Sequence, residues 1–150
     1  MHLRFTIRDL FLACLLIVCI GCGRNATAPL IVPQKMTIYA TDIQTDQPDI
    51  GQGRFHGYPI LGKVEIEDAN QRAEIMIAVN KSFEEGKGLL AASCFWPRHA
   101  IHTETDGKTT DYVICFECLQ ATINDEGRFP TISRSAEPVL TKYLTDAGIK

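Results

Sequence analysis

The chain has no excess of positive charge, no complete glycine loop, no apolar run of membrane-spanning length and no even set of cysteines in its C-terminal part. Each absence narrows what it can do. Fifteen Lys and Arg stand against eighteen Asp and Glu, for a formal net charge of −3, so there is no basic surface of the kind that holds nucleic acid. Gly51-Gln52-Gly53 lacks the third glycine, the lysine and the hydroxyl partner of the known phosphate cradles, which excludes a nucleotide loop there. The apolar run Leu10 to Ile20 is too short for a membrane-spanning helix. With 45% hydrophobic and 22% charged residues in 150, what remains is one globular domain and an N-terminal extension.

The extension has the layout of an export signal. Arg4 and Arg8 form a short basic region, Leu10 to Ile20 is its apolar part, and Gly21-Cys22-Gly23 follows. Cys19-Ile20-Gly21-Cys22 resembles the lipobox of bacterial lipoproteins, in which a small residue precedes a cysteine that is lipidated and becomes the new N-terminus. Cys19 stands where leucine is usual. The resemblance implies a signal peptide over 1–21, lipidation at Cys22, and a membrane-anchored protein of the cell envelope facing the periplasm. Glycine rather than aspartate after Cys22 resembles the lipoproteins sorted to the outer membrane. Loss of 1–21 removes Arg4, Arg8 and Asp9, taking the formal charge from −3 to −4. Export also places the domain where disulfides persist.

Residues 22–35, with small residues and prolines and no period, read as a tether. The domain is expected over 36–150. Met36 to Asp42 and Tyr58 to Glu67 carry strand patterns, separated by the glycine-bearing loop 44–57, in which His56 is expected to anchor the loop rather than bind a ligand. Asp68 and Gln71 resemble a capping box, and Ala73, Met76, Val79 and Phe83 recur at helical spacing, so 69–85 is predicted to be a helix ending at Gly86. A second helix is predicted after Ser135 as its cap, with Pro138 early, Leu140, Tyr143, Leu144 and Ala147 on one side, and a Schellman ending at Gly148-Ile149. This order predicts an α+β fold, a mainly antiparallel sheet with two helices packed on one face.

Between the helices lies the stretch from Cys94 to Cys118, which reads as a β-hairpin around Asp106-Gly107. A type I turn closed by a left-handed glycine makes a three-residue loop, Thr105 to Gly107, and sets Glu104 opposite Lys108. That register places Cys94 opposite Cys118. It also puts Trp96, Ala100, Tyr112, Ile114 and Phe116 on the core face, and Phe95, His99, Ile101, Asp111, Val113, Cys115 and Glu117 on the other.

Three readings of Cys94, Cys115 and Cys118 follow. In one, Cys94 and Cys118 form a cross-strand disulfide or pack as buried thiols, with Cys115 a small apolar side chain. In the second, Cys94, His99, Cys115 and Cys118 make a Cys₃His set suited to structural zinc; against it, Cys115-Phe116-Glu117-Cys118 has no glycine to form a knuckle. In the third, Cys115 is a nucleophile, His99 its base, and Asp111 or Glu117 the group that orients the base, as in a thiol- or metal-dependent enzyme. No catalytic spacing stands out. The expected function is therefore a structural or interaction domain without a cofactor, held at the membrane by its lipid, with a protein partner in the envelope left open.

Phe55-His56-Gly57-Tyr58-Pro59, Leu61-Gly62, Cys94-Phe95-x-Pro97-Arg98-His99-x-Ile101, Asp106-Gly107-Lys108-Thr109 and Ile114-Cys115-Phe116-Glu117-Cys118 together resemble a family of small exported bacterial proteins. The resemblance covers about residues 35–150 and names no reaction. It draws attention to Cys94, His99, Cys115 and Cys118 without giving them roles. Ala100 stands where glycine is usual in that family.

Overall fold

In the computed structural model the described residues are 30–42 and 53–149. The signal peptide, Cys22, most of the tether and most of the glycine loop lie outside them. Six strands form one antiparallel sheet in the order β2-β3-β1-β4-β5-β6, with β1 Lys35–Thr41, β2 Arg54–Phe55, β3 Tyr58–Glu65, β4 His99–Thr105, β5 Lys108–Cys115 and β6 Gln120–Ile123. Helix α1 spans Ala69–Gly86 and α2 Glu137–Asp146. The chain is an α+β domain whose two helices pack on the same face of the sheet.

That face is the main core. Met36 and Ile38 of β1, Ile101 of β4, Ile114 of β5 and Ala121 of β6 meet Ile75, Met76 and Val79 of α1 and Leu140, Tyr143 and Leu144 of α2. Each large aliphatic side chain fully removed from water there contributes roughly 1.5–3 kcal/mol. Asp68 caps α1 with its Oδ1 accepting from the N–H groups of Asn70 and Gln71, both at 2.9 Å. The buried stripe runs through Ile75, Met76, Val79, Ser82 and Gly86. It is thus turned slightly from the expected one, because Ser82 donates to the carbonyl of Ser133 and accepts with its own carbonyl from Ser133 N–H at 2.8 Å. Gly86 is required by proximity: a Cβ there would lie 2.4 Å from Cα of Ile132.

Helix α2 ends as expected, with Ile149 N–H donating to Leu144 O at 2.9 Å and Gly148 at φ +76°. Its start differs from expectation. The cap position is Ala136, with no side-chain cap bond, because the backbone N–H and the hydroxyl of Ser135 are both engaged with Ser133 Oγ. Burial and the hydrogen bond it donates to Glu74 push the Tyr143 phenol up to about 12 and tie α2 to α1.

Chain order at the tether also departs from expectation. Pro33 is already buried, its carbonyl accepts from Arg72 Nε at 2.7 Å, and β1 begins at Lys35. The domain therefore takes hold a few residues earlier than predicted.

The main hairpin joins β4 to β5 through a two-residue turn, with Thr105 paired to Lys108. Asp106 and Gly107 both have positive φ, at 49° and 73°, as a type I′ turn requires and as the right-handed twist of a hairpin favours. The three-residue loop expected from the sequence is wrong by one position. A one-residue slip turns the slipped strand over, so Ile101 of β4 faces the helices and Ala100 faces away, while β5 keeps the expected faces, with Ile114 toward the helices and Val113 away. Trp96, expected in the core, precedes the strand and is 55% exposed.

Candidate functional site

The strand that carries Cys115 ends at that residue. Phe116 to Leu119 form a turn closed by Leu119 N–H to Phe116 O at 3.3 Å, with Leu119 at φ 55°. A plain strand would aim Cys115 and Cys118 apart; the turn folds Cys118 back instead. The disulfide joins Cys115 to Cys118, which corrects the expected Cys94–Cys118 pair. Cys94 is a free thiol whose sulfur lies 3.4 Å from Sγ of Cys118. The N–H of Trp96 donates to Cys118 Sγ at 3.4 Å and that of Cys118 to Cys115 Sγ at 3.1 Å.

The segment that brings Cys94 to this cluster is irregular and pinned by its backbone. Ala92 N–H donates to Cys118 O at 3.0 Å, Thr41 Oγ1 to Pro97 O at 2.9 Å, and Thr41 N–H to Arg98 O at 3.1 Å. Pro97 cannot donate to a ladder, and here it lies buried just before β4 begins. The same segment exposes Leu90 and Trp96, while Phe95 meets Phe129 edge to face at 5.1 Å and Tyr58 at 6.3 Å.

His99 is not in this cluster. It pairs with Ile114 across the hairpin and so faces the helices, opposite to Cys115. Its ring meets Phe116 edge to face at 5.3 Å, and Nε2 lies 3.2 Å from Thr141 Oγ1 of α2. It borders a small cavity of about 190 Å³ with Arg98, Thr141 and Thr145. Burial pushes its imidazole below the ordinary 6.5, Arg98 adds to that, and Glu137 opposes it. The Cys115–His99–Asp111 arrangement and the Cys94–His99–Cys115–Cys118 metal set are therefore not assembled. Among the described residues no group of three or more His, Cys, Asp and Glu side chains is disposed to hold a metal ion.

Asp111 instead serves a second constellation on the face away from the helices. Its Oδ2 accepts from Nε2 of His56 at 2.7 Å and its Oδ1 from Nδ1 of His102 at 2.6 Å. Asn124 Oδ1 accepts from the Asp111 N–H at 2.8 Å, and Asn124 N–H donates back to Asp111 O at 2.9 Å. Phe55 stacks on Tyr39 of β1 at 4.5 Å and turns its neighbour His56 toward β5. His56 thus does anchor its loop, as its place beside Gly57 suggests. His102 and Asn124 were missed by reading the sequence; placing Asp106-Gly107 as a two-residue turn would have set His102 opposite Asp111.

Fold and site define a curled α+β domain with a disulfide at the end of its main hairpin and a free thiol against it. No family model, no curated protein and no solved structure matches the chain.

Proposed function

We propose that the chain is a bacterial cell-envelope lipoprotein. On this reading residues 1–21 are its signal peptide, Cys22 carries the lipid, and the α+β domain faces the periplasm as a structural or interaction module. The anchor reading rests on Ile20-Gly21-Cys22; among the described residues no helix is long and apolar enough to cross a membrane. The preference for binding over thiol catalysis is carried by one observation. Cys115 is bonded to Cys118 and 1% exposed, and His99 faces the other side of the sheet, so the nucleophile and base of the enzyme alternative are apart. The exposed apolar side chains Leu90 and Trp96, with Phe129 nearby, are the kind of surface a protein partner in the envelope covers. The likeness to small exported bacterial proteins, which we propose as the chain's family, fits the same compartment.

Membrane partition of the full chain tests the proposal. The native sequence is expected in the membrane fraction with the mass of a lipidated Cys22 terminus, and Cys22→Ser is expected to lose both. Unchanged processing and partition of the substituted chain would overturn the anchor.

A further inference from the structure

The sulfur cluster has an internal order that neither anchoring nor partner binding uses. Cys94 is partly exposed, whereas Cys115 and Cys118 are each 1% exposed. The free thiol is the outermost of the three sulfurs, and the sulfur it touches, at 3.4 Å, is the Cys118 half of the disulfide. On the far side of the bond, the Cys118 N–H points at Cys115 Sγ from 3.1 Å. A backbone donor there favours negative charge on that sulfur, as N–H groups do for thiolates generally.

We infer that Cys94 is the nucleophile of an internal thiol–disulfide exchange. Its thiolate attacks Sγ of Cys118, the Cys94–Cys118 bond forms, and the Cys115–Cys118 bond breaks with its electron pair leaving on Cys115. The proton lost by Cys94 goes to solvent and Cys115 regains one. Sulfur oxidation states balance, so no outside oxidant or reductant is required. Closing 3.4 Å to a bond of about 2.0 Å asks for about 1.4 Å of travel, and Cys94 lies between the backbone bonds that pin Ala92 and Pro97, in residues that belong to no strand. The two disulfide forms differ in what they display: one presents a thiol at the surface on Cys94, the other withdraws it to the buried Cys115.

Peptide mapping distinguishes the forms without any substitution. Trypsin releases Cys94 in peptide 88–98 and both other cysteines in peptide 109–128. The full chain is held at pH 8, trapped in denaturant with a maleimide, and digested. Exchange predicts two products: peptide 109–128 bonded internally alongside maleimide-labelled 88–98, and the two peptides cross-linked with maleimide on Cys115. Cys115→Ser should give the cross-linked pair alone, and Cys94→Ser should abolish it. Maleimide on Cys94 alone in the native sequence would overturn the inference, and so would a Cys115→Ser chain that leaves Cys94 and Cys118 both alkylated after air oxidation.

Discussion

His56 Nε2 lies 2.7 Å from Asp111 Oδ2 although 55 positions separate the two residues. In the sheet β1 and β4 stand between their strands, so the contact spans the curl of the sheet and holds the tip of the β2–β3 hairpin over β5. His102 occupies the other carboxylate oxygen, so Asp111 bridges the two imidazoles.

Removing that carboxylate is expected to loosen the curl. Hydrogen bonds to a charged group are worth roughly 1.5–3 kcal/mol each when well buried, and these partners are 22–34% exposed. Asp111→Ala should therefore cost about 2 kcal/mol in urea unfolding. Amide exchange should quicken first between Arg54 and Tyr58. In a double-mutant cycle His56→Ala and Asp111→Ala should add to less than their sum, because either one breaks the same bond; strict additivity would mean that the clasp contributes nothing.

Gly86 should resist the substitution that helix propensity favours. Alanine in a helix gains about 1 kcal/mol over glycine, but here its Cβ meets the backbone of Thr131 and Ile132 at 2.4–2.6 Å. Backbone cannot swing aside as a side chain can. Gly86→Ala is expected to lower the Tm by several degrees, whereas Gly62→Ala, whose nearest neighbours are side-chain carbons of Ile149 at 2.8–2.9 Å, should cost less. Equal melting temperatures for the two variants would contradict this packing.

His99 sets a pH dependence of known sign. Burial holds its folded pKa below the ordinary 6.5, so the unfolded chain binds the proton more readily. Its contribution to stability is full above about 6.5 and is lost as pH falls through that value toward the lowered folded pKa. Unfolding measured between pH 8 and pH 5 should show the decline, and His99→Asn should flatten it. Stability in the native sequence that rises on acidification through this window, and does so because of His99, would contradict the burial.

The sequence made the helices, the strands other than β2 and β6, and the layering legible because each rests on a long period, a turn signal or a cap: Asp68 with α1, Gly148 with the end of α2, the alternation of β1. What it hid were short features set by single backbone conformations. Strand β2 is two residues inside a polar loop, with no room for a period. Asp106-Gly107 suits both a two-residue and a three-residue turn, and the wrong choice turned β4 over against β5, which put His99 on the same side as Asp111 and Cys115. Leu119 takes a left-handed conformation that leucine seldom adopts, so nothing in Cys-Phe-Glu-Cys announced that the strand would stop and the two cysteines meet. Ser82 is buried because Ser133 satisfies it, and that partner is 51 positions away.

The separation of His99 from Cys115, on which the site reading depends, rests on the pairing across the hairpin. Cross-strand α-proton contacts in the NMR spectrum of the protein measure that pairing directly, since opposed residues at alternate positions of an antiparallel ladder bring their Cα atoms to about 4.5 Å. The account predicts contacts linking Ala100 with Val113 and His102 with Asp111. Contacts linking Ile101 with Asp111 and His99 with Val113 would restore the three-residue turn, return His99 to the side of Cys115, and contradict it.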